Sequence, residues 1–409
     1  MVVPILVKSL RSTFRSLESR NYRWFWLSAL AAFTSMQMQV FVRGWLVYDL
    51  TGSSLALGWV SFAFGIPVML LSPLGGTITD RVDKRNLLIT TQILAGITNL
   101  VIAVLISVGA IEVWHLIVSA TLTGVLFAFN TPGRQSMIPE LVEREQLMNA
   151  IALSIGAMNL TRIFAPALSG ILVAIIGIDW VYYITVAFFG ISAVLLFAIP
   201  PMGKTPRDAT STIKSEILQG FSYVRNSPVL LSLLALAFIP IVFGMPYQML
   251  MPAFAVDVLD VGASGLGFLM AAIGVGALIG SLSIASLGNF RHKGLLLYGA
   301  LIVFGAFLVG FAGSNNYYLS VFLLLGIGAA STSYMATNNT MIHLNVTDDM
   351  RGRIMGIYMI TIGLFPLGVL PISAIAEVIG VQLAVGVSGA FLVLFTLMMA
   401  MLRPGLRKL

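Results

Sequence analysis

The side chains able to do chemistry in this 409-residue chain are few, and nearly all are charged groups set among apolar ones. One set is a knot at residues 75–85, Gly-Gly-Thr-Ile-Thr-Asp-Arg-Val-Asp-Lys-Arg, which brings Gly76, Asp80, Arg81, Lys84 and Arg85 into one short stretch. The other is a pair of solitary arginines, Arg162 and Arg43, inside long apolar runs. Catalytic patterns are missing: there is no His-Glu-x-x-His metal pair, no Gly-x-Ser-x-Gly elbow and no Gly-x-x-x-x-Gly-Lys-Ser/Thr phosphate loop. Zero Cys means no disulfide, thiolate–zinc site or thiol nucleophile. The three histidines, His115, His292 and His343, are too scattered to pair on a metal. The chemistry on offer is ion pairing and hydrogen bonding rather than bond making, so the chain reads as no enzyme, with no catalytic residue, cofactor or metal expected.

What positions these charges is a membrane. With 58% hydrophobic and 10% charged residues the chain cannot cover a water-facing surface, which takes about 25% charged residues. The runs flanking the knot, 54–78 and 87–108, are each long enough at about 1.5 Å per residue to cross roughly 30 Å of hydrocarbon. Twelve such runs follow one another, at about 24–48, 54–79, 86–108, 114–138, 146–176, 178–200, 228–254, 263–287, 294–313, 317–343, 352–376 and 381–402. The polar interval 201–227 divides them into two halves, 24–200 and 228–409, and residues 1–23 form a basic amphipathic segment expected to lie along the inner leaflet. The fold expected is all-α, twelve transmembrane helices in two six-helix bundles. The net charge of +7 is spread loop by loop without an aromatic-interleaved patch, so nucleic acid is not an expected partner.

Loop charges orient the chain. If the first loop faces out, the outer loops hold Asp49, Glu112, Asp179, Asp257, Asp260 and Glu377 and no Lys or Arg, while the inner segments take nearly every base. A multi-pass membrane protein with both termini cytoplasmic follows as the expectation. The halves also echo each other: a shift of about 205 residues lays the knot near Arg291, His292 and Lys293, and the loop around Arg144 near Arg351 and Arg353.

The knot resembles the Gly-x-x-x-Asp-Arg-x-x-(Arg/Lys)-Arg signature of the major facilitator superfamily, carried here by Gly76, Asp80, Arg81, Lys84 and Arg85. In that superfamily it joins helices two and three on the cytoplasmic side, and the resemblance implies a gate there, with Arg351 and Arg353 as further gate candidates from the second half. A plainer reading makes the three bases retention charges that fix topology. Further stretches, Asp49-Leu-Thr-Gly-Ser53, Pro132-Gly-Arg134-Gln, Asn149-Ala, Asn159-x-x-Arg162-x-x-Ala-Pro166 and Arg351-Gly-Arg353, look like the bacterial branch that contains the enterobactin exporter and macrolide efflux proteins. That branch implies a secondary active exporter of a small amphipathic molecule, working by alternating access in the plasma (bacterial inner) membrane. The alternatives are a multidrug or macrolide efflux carrier and an importer or uniporter of the same fold, with a transport-dead receptor or a membrane enzyme less in keeping with the pattern.

The polar residues inside the spans are the binding candidates. A charge at mid-membrane costs at least about 2.5–3.5 kcal/mol and persists only where a cavity or partner receives it. Arg162, some sixteen residues from one end of its span and fourteen from the other, is a substrate or coupling residue, or else a strut tied to helix carbonyls. Arg43, about a turn and a half from the end of the first span, either joins it or snorkels outward. Gln37, Gln39, Asn130, Asn159, Gln248, Tyr334 and Asn338 line a cavity with them or glue helices together. No Asp or Glu lies near the centre of any span, which leaves Asp49 and Glu377 as the carboxylates for proton coupling, or as plain loop charges. The partners expected are a small-molecule substrate, the lipid bilayer and protons; the oligomeric state is not legible.

Overall fold

Backbone that crosses hydrocarbon must satisfy its own hydrogen bonds, and the apolar runs accordingly coil into helices. The structure, a computed structural model, describes residues 14–79, 81–201, 219, 222–288 and 290–408. Among these, twelve helices are long and apolar enough to cross a membrane, as the run count predicts. The first six are α1 (Arg20–Thr51), α2 (Ser54–Thr79), α3 (Lys84–Ser107), α4 (Val113–Leu141), α5 (Leu147–Ile176) and α6 (Ile178–Phe197). The seventh span begins as α7 (Pro228–Ile239), followed by α8 (Ala263–Leu287), α9 (Lys293–Ala312) and α10 (Tyr317–Leu344). The eleventh span consists of α11 (Asp348–Gly363) and α12 (Phe365–Ile379), and α13 (Val381–Leu402) is the last.

Two spans are less regular than their apolar runs predict. After α7 the chain passes through a π turn at Pro240–Gly244 and a 3-10 turn at Met245–Gln248, then a second π turn at Phe254–Val258. Pro240, Pro246 and Pro252 lack the N–H that would continue an α ladder, so the hydrogen-bond spacing shifts at each. The eleventh span is interrupted at Leu364, two residues before Pro366. At the amino end, residues 1–13 lie outside the described residues. Arg15–Glu18 is a 3-10 turn and α1 starts at Arg20, so Arg20 and Arg23 belong to the first span rather than to a separate amphipathic segment. The turn is pinned by buried Ser16, whose N–H and hydroxyl both donate to Asn149 Oδ1, at 3.0 and 2.6 Å. Of the interval 201–227, residues 222–225 are helical and most of the rest lies outside the described residues.

The chain forms two compact units, one of Met1–Arg43 with Ile66–Arg207 and one of Gly44–Gly65 with Asp208–Leu409. In the first, Tyr22 and Phe25 of α1 pack with Leu88, Met137 and Leu196 in a buried apolar cluster. Hydroxyls thread the same interior: Ser28 Oγ donates to the Ser192 carbonyl at 3.0 Å and Ser35 Oγ to that of Thr185 at 2.8 Å. In the second, α8 and α10 touch backbone to backbone, since a Cβ on Gly276 or Gly280 would strike the carbonyl of Leu325 or Ala329. Phe254 stacks on Phe311 with ring centroids 4.1 Å apart.

Candidate functional site

The charged knot is built into the first unit. Asp80 lies outside the described residues, and Gly76 sits in the last turn of α2. The glycine that demonstrably lets a neighbour approach is Gly75, where a Cβ would strike the Ala128 carbonyl of α4. Arg81 is exposed. Asp83 caps α3 by accepting the Asn86 N–H at 2.7 Å. Lys84 is buried and ion-paired to Glu140 near the end of α4. Arg85 reaches the end of α6, where Nε donates to the Leu196 carbonyl at 3.1 Å and Nη2 to that of Phe197 at 3.0 Å. The Leu196 carbonyl also accepts the Ile199 N–H at 3.1 Å, and a cation at a helix C-terminus meets the favourable end of its dipole. Lys84 and Arg85 therefore fasten α3 to α4 and to α6. Of the second-half candidates, Arg351 is exposed, and Arg353 Nη1 lies 3.2 Å from Met350 Sδ.

Sequence reasoning missed the most buried cation network. Arg134, read only as part of a motif near the end of the fourth run, lies seven residues inside α4, which continues to Leu141, and is 5% exposed. Its Nε donates to Asn130 Oδ1 at 3.2 Å and its Nη2 to Ser192 Oγ at 3.2 Å. Its guanidinium stands 5.8 Å from the ring centroids of both Phe25 and Phe33. Asn130 Nδ2 in turn donates to Thr91 Oγ1 at 2.7 Å. Arg134 and Asn130 together thus tie α1, α3, α4 and α6, with no carboxylate bonded to Arg134 among the described residues. The signal that could have found it is the apolar pair Leu141–Val142 just past the run, since the helix continues to Leu141.

The other first-unit candidates are dispersed. Gln39 is buried and its Nε2 donates to Thr123 Oγ1 at 3.2 Å, whereas Gln37 is half-buried. Arg43 is 7% exposed and within electrostatic range of Tyr182, so it packs inside the protein and does not snorkel. Arg162 is exposed, fifteen residues from Leu147 and fourteen from Ile176; Asn159, one turn earlier on α5, is half-buried. The strut reading of Arg162 gains no support, because it makes no hydrogen bond to a helix carbonyl among the described residues.

The second unit gathers its candidates at two places. On α10, Tyr334 and Asn338 are one turn apart and fully buried; the Tyr334 hydroxyl and both amide atoms of Asn338 lack hydrogen-bond partners among the described residues. Gln248 is half-buried in the 3-10 turn, with its Nε2 3.8 Å from Met245 Sδ. The second place is where α1 ends. Tyr48 donates its hydroxyl to Asp257 in the second π turn. A cavity of about 360 Å³ opens there, lined by Trp45, Tyr48, Asp49, Gly52, Val256 and Asp257. Glu377 of α12 accepts from Ser53 Oγ and from the Leu55 N–H, both at 3.0 Å, and so caps the N-terminus of α2. Asp49 and Glu377 thus stand in one neighbourhood, with Asp257 as a third carboxylate that sequence reading left among the loop charges.

Twelve helices long and apolar enough to cross a membrane define a polytopic membrane protein. The chain belongs to the major facilitator family described as transmembrane secretion effectors, whose model matches residues 11–408. It is 25% identical over 380 residues to a staphyloferrin A transporter of Staphylococcus aureus, covering 92% of this chain and 94% of that one. It is 22% identical to macrolide efflux protein A of Streptococcus pyogenes, covering 93% and 95%, and 26% identical to an enterobactin exporter of Shigella boydii, covering 81% and 77%. Among solved structures the fold matches a mutant form of the nucleoside transporter NupG with a TM-score of 0.76 at 13% identity, over 93% of this chain and 99% of that one. The protein is a multi-pass membrane transporter of small molecules and not an enzyme.

Proposed function

We propose that this transporter exports a small amphipathic anion, siderophore-like in its acidic oxygens, from the cytoplasm across the bacterial inner membrane by alternating access. The observation that carries the reading is Arg162, an exposed guanidinium at the middle of a 30-residue apolar helix. A charge at that depth is tolerated where it faces water or substrate, not hydrocarbon. The first unit's interior adds positive charge at Arg134 with no bonded acid, so its fixed field favours an oxyanion that a guanidinium can grip with two parallel hydrogen bonds. Staphyloferrin A and enterobactin, the named cargoes of two relatives, fit that chemistry. The same reading holds both termini to be cytoplasmic, by the loop charges, and takes the proton as coupling ion, through Asp49 and Glu377.

A second reading, efflux of cationic amphiphiles, is favoured by the macrolide-efflux relative and by the carboxylates Asp49 and Asp257 in the second-unit cavity. Flux in proteoliposomes separates the two. Anion export should fall in the order wild type, Arg162→Lys, Arg162→Gln, with Lys keeping the charge and losing the fork, and Gln expected to lose about tenfold or more. Efficient export of cationic dyes by the wild type, matched by Arg162→Gln, would sink the anion reading and leave the second.

A further inference from the structure

Residues 44–65, the end of α1, its turn and the start of α2, form a hairpin that packs with the second unit although both of its helices continue into the first. Packing alone would be a weak reason, but the hairpin is held at two separate points. Tyr48, on the α1 arm, donates its hydroxyl to Asp257. On the α2 arm, Ser53 Oγ and the Leu55 N–H both converge on Glu377 Oε2 at 3.0 Å. Glu377 also lies within electrostatic range of the Tyr48 hydroxyl, so the two points flank one residue. Beyond them the arms touch their neighbours closely: a Cβ on Gly58 would fall 2.6 Å from that of Ser373 on α12, and one on Gly65 would strike Pro366. The acidic residues at this end are Asp49 and Asp257 on the cavity wall, Asp260 just beyond the π turn, and Glu377; no Lys or Arg lies in 44–65, 251–262 or 372–382 to compete for them.

We propose that Asp257 and Glu377 are positioning residues that clasp the 44–65 hairpin, and that transport requires the clasp to open. Each bond uses an ionised acceptor and a neutral donor, which is stronger than a neutral pair yet far easier to break than a buried ion pair. The two together favour the docked hairpin without locking it. The inference rests on the carrier cycling between arrangements, but it does not depend on which substrate is carried.

The test reads the hairpin directly and needs no substrate. The chain has no native Cys, so Ser373→Cys, buried where Gly58 packs, supplies a single thiol in the full-length protein in membranes. Its labelling by a maleimide that does not cross the bilayer should be slow. Adding Tyr48→Phe, Asp257→Asn or Glu377→Gln should each raise the rate about three- to tenfold, the range set by losing one hydrogen bond of ordinary net strength. Tyr48→Phe with Asp257→Asn should do no more than either alone, because they remove the same bond, whereas Tyr48→Phe with Glu377→Gln should exceed both. Asp260→Asn, an equal change of charge outside the clasp, should leave the rate unchanged. Labelling that does not respond to any clasp variant, or responds equally to Asp260→Asn, would overturn the proposal. Loss of anion preference with an intact clasp would count against the function proposed above and not against this one.

Discussion

Each unit buries a polar cluster, and the two clusters are bonded to very different degrees. In the first, Arg134 sits at the hub of a bonded network, Arg134–Asn130–Thr91 on one side and Arg134–Ser192–Ser28 on the other. In the second, Tyr334 and Asn338 bury a hydroxyl and an amide with no partner among the described residues, and the two broken spans, the seventh and the eleventh, both lie there. A bonded network favours one arrangement of the helices around it, even with Arg134 Nη1 left over, while a polar pair with no bonds at all costs free energy until something binds it. The Arg134 cluster of the first unit therefore reads as a brace, and the Tyr334–Asn338 pair of the second as unused hydrogen-bonding capacity.

That contrast is best attacked by unfolding measurements in detergent. The largest effect is expected from Arg134→Ala, which removes the hub, empties its volume and takes the donor from Asn130 Oδ1; a loss on the order of 3–4 kcal/mol is expected. Glu140→Ala, which leaves Lys84 buried without its partner, should cost about 2–3 kcal/mol, less than a fully buried pair because Glu140 is partly exposed. Replacing both, as Lys84→Met with Glu140→Leu, should recover most of that. The smallest effect should come from Asn338→Leu, within about 1 kcal/mol of the wild type or more stable, since the amide it removes has no bonds to lose. Transport, by contrast, should fall in Asn338→Leu if that amide serves the substrate. An Asn338→Leu variant as unstable as Arg134→Ala would erase the distinction between the units.

The number of spans and most of their limits were legible because length and apolar continuity are properties of the chain itself. The second, fifth, eighth, tenth and last runs coincide with their helices to within a residue or so. What stayed hidden depends on partners distant in sequence. Nothing near Arg85 says that its guanidinium will meet the carbonyls of residues 196 and 197, and nothing near Glu377 announces the Leu55 N–H. The two π turns of the seventh span stayed hidden as well, because an apolar run is the same whether its ladder is regular or shifted. Arg134 was hidden for a simpler reason: its span was drawn three residues short, which moved a core cation to an edge.

Two turns, set side by side, bear on how the protein is made. Gly177 alone links α5 to α6 and Gly380 alone links α12 to α13, both at φ 88° with ψ of 163° and 152°, a conformation open in practice only to glycine. A one-residue turn leaves no slack for either helix of a pair to choose its direction separately. Each pair should accordingly leave the ribosome's insertion machinery as a single re-entering unit, at the same stage in the building of each half, with the later helix's orientation settled by the earlier one.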